Sequence, residues 1–305
     1  MPAVELENVV KTYGTQVAVA DLSLQVPTGS VYGFIGPNGS GKSTTLRMIM
    51  RIIAPDRGHI RVLGVETSSA ANDRIGYLPE ERGLYKKMVV RDVLHYHAKL
   101  KGMHDPGSAV EQWLERLRIA DAAEKKVEAL SKGMAQKIQF IATVVANPEL
   151  VILDEPFSGL DPVNMEVVRD AILDLRKAGA TVIFSTHDMN VAERMCDFIF
   201  MIFKGQKVLD GSLASIRDTY GTDTVKLRTS PSADVDRLER LPGVTKVVDF
   251  GNLQEVRLDR GADAQNVLRY ASTQGAVELF EVAKPSLNDV FVRIAGEEQG
   301  LAVHA

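Results

Sequence analysis

Cysteine is almost missing from this chain. Cys196 is the only one, which excludes an intrachain disulfide and makes a reducing cytosol the natural compartment. Long apolar runs are missing too. The longest, Ile138 to Ala146 with Gln139 inside it, is far short of the roughly 20 residues that span a bilayer. The start, Met1-Pro2-Ala3-Val4-Glu5-Leu6, lacks the charged-then-apolar order of a secretion signal, so a soluble chain is expected. Excess charge of either sign is absent: 36 Lys and Arg against 40 Asp and Glu leave a net −4. That balance offers no general attraction to nucleic acid or anionic lipid, and any membrane association is expected to run through a protein partner. No repeat or low-complexity tract is evident.

What is present suits two folded units. With 305 residues, 45% of them apolar, the chain can bury one full core and a smaller second one. Val17 to Val26 alternates and stops at Pro27-Thr28-Gly29, and Val31 to Ile35 is a short buried strand running into Gly36. Leu46, Ile49, Met50 and Ile53 then recur at helical spacing, predicting a helix over Thr44 to Ile53 ahead of Pro55. Helices are predicted over Val89–Lys101, Ala109–Leu117 and Ala135–Ala146. Leu150–Leu153 and Thr181–Ser185 read as buried strands around a helix over Pro162–Ala178, and Phe198–Leu209 as a hairpin turning at Lys204-Gly205. Alternation of this kind argues for an α/β core with a mainly helical insert at about 87–148.

The composition changes near Leu213. Thr224–Arg228, Asp234–Leu241, Val244–Phe250, Leu253–Leu258, Ala264–Gln274 and Ala276–Ala283 read as strand, helix, strand, strand, helix, strand, turning at Gly251-Asn252. That order is the split βαβ, ferredoxin-like pattern. The expected division is 1–215, 216–296 and a frayed tail at 297–305.

The chemistry begins at Gly36-Pro37-Asn38-Gly39-Ser40-Gly41-Lys42-Ser43-Thr44, which fits G-x-x-x-x-G-K-[ST] between a strand and a helix. Glycines let the backbone wrap phosphate oxygens, and the helix N-terminus adds positive potential. Lys42 supplies charge for the β and γ phosphates, and the Ser43 hydroxyl a Mg²⁺ ligand. Leu150-Val151-Ile152-Leu153-Asp154-Glu155 is an apolar strand ending in two carboxylates. Asp154 suits Mg²⁺ held through water, and Glu155 suits polarisation of the attacking water. His187, just past the strand at Thr181–Ser185, is placed to reach a γ-phosphate.

At this point the chain resembles the ABC transporter ATPases. The distinguishing segment is Leu130-Ser131-Lys132-Gly133-Met134-Ala135-Gln136-Lys137, similar to that family's signature loop and helix, with Ser131 lying 23 residues before Asp154. Tyr13 in Lys11-Thr12-Tyr13-Gly14 resembles the aromatic on which adenine stacks. Ser158-Gly159-Leu160-Asp161 resembles the D-loop, and His187 the switch histidine. The likeness spans about residues 3 to 215. It implies a P-loop core of ABC ATPase type, with ATP and Mg²⁺ as cofactors. It further implies that Ser131, Gly133 and Asp161 serve a composite site completed by a second copy. A homodimer with two identical sites is expected, and a heterodimer stays open.

Three departures stand out. Glu80 occupies the usual Q-loop glutamine position, and Lys132 and Met134 replace the signature's usual glycine and glutamine. A carboxylate at 80 can still meet Mg²⁺ or a water, so retained function with altered metal coupling is expected. The run Leu78 to Tyr85, the Ser131-Lys132-Gly133-Met134 signature and the closing Pro285-Ser286-Leu287-Asn288-Asp289-Val290-Phe291 resemble the ATPase subunits of bacterial sodium- and drug-efflux exporters. The resemblance implies integral-membrane permease partners, no nucleic acid, and a peripheral place on the cytoplasmic face of the membrane. Arg82, Tyr85 and Val89 are the expected coupling contacts, with an ordinary solvated loop as the alternative for each. The C-terminal unit carries no motif for chemistry; regulation or dimer support is its expected role. Soluble ABC ATPases that act on ribosomes or nucleic acid are the competing class, but they usually carry two cassettes or a long coiled-coil insert.

Overall fold

Alternating apolar residues near the start form an antiparallel pair, β1 (Val4–Tyr13) and β2 (Gln16–Val26), that buries Val4, Leu6, Val9, Val19, Leu22, Leu24 and Val26. The computed structural model describes residues 1–66, 73–81, 83–220, 224–230, 237–259, 261–283 and 286–298. The chain divides into two compact units, Met1–Gly211 and Ser212–Ala305.

In the first unit β3 (Val31–Ile35) is buried at every position and leads through the glycine loop into α1 (Lys42–Ile49). The helix is shorter than its periodicity predicts. It starts at Lys42, directly after Gly41, whose left-handed φ of 111° marks the end of the loop. It stops after Ile49 because Arg51 takes a left-handed φ of 60° and turns the backbone. Next come β4 (Arg57–Val62), β5 (Val65–Glu66) and β6 (Ile75–Leu78). The helical insert follows with α2 (Val90–Leu100), α3 (Gly107–Arg116) and α4 (Lys132–Val144). Helix α4 begins three residues ahead of the apolar periodicity, because the Ser131 hydroxyl accepts from the Met134 N–H at 3.2 Å and caps it.

The chain then returns to the sheet through β7 (Leu150–Asp154), α5 (Pro162–Lys177), β8 (Thr181–Thr186), α6 (Met189–Met195), β9 (Phe198–Phe203) and β10 (Gln206–Ser212). Among the described residues one sheet of this unit has the order β2-β1-β4-β5 and the other β10-β9-β3-β8-β7-β6. Pairings β9-β3, β3-β8, β8-β7 and β7-β6 are all parallel. Strands buried on both faces must be apolar throughout, as β3 and β7 are nearly end to end. In register, Ile35 lies beside Thr186 and Ser185 beside Asp154. Three neighbouring strands therefore end at one edge, the usual ligand edge of an open α/β sheet.

The second unit comprises α7 (Leu213–Tyr220), β11 (Thr224–Thr229), β12 (Val244–Asp249), β13 (Gln254–Leu258), α8 (Gln265–Gln274), β14 (Val277–Ala283) and α9 (Leu287–Glu298). Its sheet has the order β12-β13-β11-β14, antiparallel throughout, which is the strand arrangement of the split βαβ pattern. Val225, Leu227, Leu238, Val256, Val267 and Ala271 form its core. The helix predicted over Asp234–Leu241 is not seen in the described part. Residues 234–236 lie outside it, and Leu238–Arg240 make one 3₁₀ turn that sinks Leu238 into the core.

Helix α9 was not expected. Its start is a reciprocal cap: Ser286 Oγ donates to Asp289 Oδ2 at 2.6 Å and accepts from the Asp289 N–H at 3.1 Å. Of the predicted tail, 297 and 298 belong to this helix, and 299–305 lie outside the described residues. Pro285 lies outside them too.

Candidate active site

The phosphate loop takes its shape from close approach. Gly41 has φ 111°, and a Cβ there would stand 2.5 Å from the Ala18 carbonyl. No side chain caps α1 and no acidic residue occupies its first turn, so its leading N–H groups are left for an anion. Lys42 is buried, and its ammonium donates to the Gly36 and Pro37 carbonyls at 2.7 and 3.1 Å. Burial lowers its pKa, against the attraction of Glu155, Asp154 and Glu80. The Ser40 hydroxyl is buried without a partner among the described residues.

Strand β7 delivers the carboxylates. Asp154 is fully buried, and its Oδ1 accepts from Ser185 Oγ at 2.5 Å and from Ser43 Oγ at 3.3 Å. Its Oδ2 is buried and has no hydrogen-bond partner among the described residues. Glu155 follows with a left-handed φ of 50°, a costly conformation for a side-chain-bearing residue. Its N–H donates to Ser185 Oγ at 3.1 Å, and its Oε1 lies 2.9 Å from Nδ1 of the exposed His187. Ser185, which the sequence reading passed over, thus ties the Asp154 carboxylate to the Glu155 backbone. It sits mid-motif in an apolar strand, where a small polar residue gives little signal.

These groups surround one cleft of about 380 Å³, lined by Tyr13, Gln16, Ala18, Asn38, Gly39, Gly41, Lys42, Ser43, Thr44, Glu80 and Glu155. Its size suits a nucleotide. Tyr13 is half-exposed at the hairpin end of β1, with Lys11 Nζ 5.7 Å from its ring centre. The donor set fits Mg²⁺: Ser43 Oγ and the orphaned Asp154 Oδ2 are hard oxygens, with Glu80 nearby in the cleft. Among the described residues no group of three or more His, Cys, Asp or Glu is placed to hold a metal ion by itself.

A second missed residue is Asp56. It accepts from Lys11 Nζ at 2.8 Å and from the Thr12 N–H and hydroxyl at 2.7 Å each, bracing the strand end that carries Tyr13. These bonds, that from Lys11 first, hold its carboxyl at about 2 against an ordinary 3.8. A carboxyl lowered on folding contributes stability above its unfolded value and loses it as the pH falls through its folded value. Asp56→Asn is therefore expected to lower the urea midpoint at pH 6, with the gap to the unsubstituted chain narrowing as the pH falls towards 3. A gap of constant size would show that the charge is not what braces this end.

Ser131, Gly133 and Asp161 stand outside this cleft. Gly133 lies against Gly159, whose carbonyl would be 3.4 Å from a Cβ placed at 133. Asp161 caps α5, accepting from the Asn164 N–H at 2.9 Å. Tyr85 is exposed and meets Tyr96 edge-on at 5.6 Å, while Val89 is half-buried; Arg82 lies outside the described residues.

A glycine phosphate loop facing a carboxylate-tipped strand defines a P-loop nucleotide site on an α/β core. Over residues 19–158 the chain matches the family described as ABC transporter, and over 211–295 the one described as ATP-binding protein DrrA1-3-like, C-terminal domain. The uncharacterized ABC transporter ATP-binding protein YhaQ of Bacillus subtilis (strain 168) is 39% identical over 95% of this chain and 98% of its own length. The Nod factor export ATP-binding protein I of Paraburkholderia xenovorans (strain LB400) is 33% identical over 97% of this chain and 98% of its own. Among solved structures, an ATP-binding subunit of an ABC transporter superposes with a TM-score of 0.68 at 28% identity, covering 72% of this chain and 93% of that one. The dimeric post-hydrolysis state of the ATP-binding cassette MJ0796, bound to ADP and Pi, does so at 0.63 and 26%, covering 69% and 98%. The chain belongs to the ABC transporter ATP-binding proteins, a family of ATP-hydrolysing subunits.

Proposed function

We propose that the chain is the Mg²⁺-dependent ATPase of an exporter, working as a homodimer that drives separate integral-membrane permease subunits. The observation that carries the reading is the placement of Ser131, Gly133 and Asp161 at the starts of α4 and α5, outside the chain's own cleft. A helix start outside the chain's own cleft suits the nucleotide of a second copy. Relatives named for Nod factor export align along nearly the whole chain, second unit included, which supports the exporter direction.

In this reading Tyr13 stacks the adenine, and the loop 36–44 with Lys42 cradles the phosphates. Ser43 and Asp154 hold the metal, with Glu80 beside it. Bound Mg²⁺ neutralises charge on the β and γ phosphates. Glu155 orients the attacking water and takes its proton, and His187 steadies Glu155 and the γ-phosphate. Among the described residues no helix is long and apolar enough to cross a membrane; in this reading the permease supplies the attachment to the inner face. The exposed Tyr85 and the neighbouring 81–91 segment are its docking contacts.

The test is purification of a tagged chain from detergent-solubilised membranes of its own host. The expected result is a stable complex with an integral-membrane protein whose presence raises ATP turnover. Recovery of active chain solely from the soluble fraction, bound to ribosomes or nucleic acid, would overturn the transport reading.

A further inference from the structure

Helix α4 bonds the backbone that flanks two acidic residues of the cleft, in a way that the motifs do not assign. Gln139 is buried, and its amide Nε2 is shared between the Pro79 and Glu81 carbonyls at 3.3 Å each. These two carbonyls flank Glu80, the carboxylate that enters the cleft in place of an amide. One turn further on, Thr143 Oγ1 reaches the Tyr77 carbonyl at 3.5 Å. One turn earlier, Gln136 Nε2 donates to the Pro156 carbonyl at 3.1 Å, directly after Glu155. A single helix face thus grips the backbone beside both acidic residues of the cleft, and the same helix opens with Ser131. Gln139 Oε1 is buried and has no partner among the described residues. A buried amide that satisfies two carbonyls and leaves its own acceptor unmet is an uncommon choice for a residue that only fills space.

We propose that Gln139 is a positioning residue for the nucleotide site: it fixes the 79–81 turn, and through it the aim of the Glu80 carboxylate at the metal. This rests on the reading of Glu80 as part of a Mg²⁺-nucleotide site. Its consequence is regulatory. A shift of α4, whose first turn serves the opposite nucleotide, alters how this site holds its own metal.

The experiment is a Mg²⁺ titration of binding of a methylanthraniloyl-labelled, non-hydrolysable ATP analogue. It compares the unsubstituted chain, Gln139→Met, Glu80→Gln and the double variant, each with its urea midpoint. Gln139→Met keeps the length of the side chain and removes the donors. Loss of a residue that orients a metal ligand costs roughly 10-fold in metal affinity, so the Mg²⁺ midpoint is expected to rise by about that factor in Gln139→Met. In the Glu80→Gln background the same change is expected to move it less than about twofold, because coupled residues are not additive. Equal shifts in both backgrounds, or none in a folded Gln139→Met, overturn the proposal while leaving the ATPase reading intact. A Glu80→Gln chain with unaltered Mg²⁺ dependence overturns it through Glu80, and failure of the unsubstituted chain to bind the analogue overturns the nucleotide reading itself. Should Gln139→Met not fold, Gln139→Asn, which keeps the amide but withdraws it by one methylene, is held to the same criteria.

Discussion

Glu155→Gln is expected to slow ATP hydrolysis by roughly two to four orders of magnitude, the usual worth of a positioned general base, while leaving nucleotide binding nearly unchanged. The substitution is isosteric, so the left-handed backbone at 155, the Ser185 contact and the shape of the cleft should persist. What disappears is a proton acceptor 2.9 Å from His187 Nδ1. With hydrolysis stalled, a chain whose Ser131 and Gly133 serve a partner's nucleotide should accumulate as a closed dimer. Phosphate release measures the first effect, and size-exclusion chromatography in ATP and Mg²⁺ the second. Hydrolysis within about threefold of the unsubstituted chain would remove Glu155 from the role of base. A monomer in ATP would remove the composite site.

Lys42→Ala should do the opposite, abolishing binding before chemistry. Removing one partner of a buried, hydrogen-bonded charge pair costs about 2–5 kcal/mol, which is roughly 30- to 5,000-fold in dissociation constant. The measurement is titration with the same labelled analogue. Stability without nucleotide should move little or even rise. Burial dominates the three neighbouring carboxylates and lowers the Lys42 pKa, so the folded chain bears a penalty for keeping the ammonium charged. For a lysine lowered on folding that penalty is full at neutral pH, and it is relieved as the pH rises from the folded value towards 10.5. The variant's advantage without nucleotide should therefore shrink in alkaline buffer. A variant that binds nucleotide normally would mean that the loop backbone and α1 carry the phosphates unaided.

Much of the first unit is legible in the chain because its signals are local. Val31–Ile35 and Leu150–Leu153 are apolar at consecutive positions, which only a doubly covered strand tolerates. The loop between the first of these strands and α1 has a glycine pattern that few other structures need. Most of the errors fall at element ends, where a cap or a backbone turn decides. Helix α1 ends early because Arg51 turns, α4 starts early because Ser131 caps it, and within the predicted 234–241 helix the described residues give a single 3₁₀ turn at Leu238–Arg240. Helices α7 and α9 went unread although Leu287, Val290, Phe291 and Ile294 recur at helical spacing in α9, whose start the Ser286–Asp289 cap fixes.

The sequence by itself determined the class of chemistry. Phosphate binding requires glycines, a lysine and a hydroxyl at set spacing along one turn, and that requirement is written in consecutive residues. Tertiary structure alone decided which distant side chains hold those groups in place. Ser185 under Asp154 and Glu155, Asp56 under the Tyr13 strand, and Gln139 behind Glu80 act across separations of 30, 44 and 58 residues or more. A hydrogen bond between such partners depends on strand order, register and helix packing, and no spacing along the chain encodes those three directly.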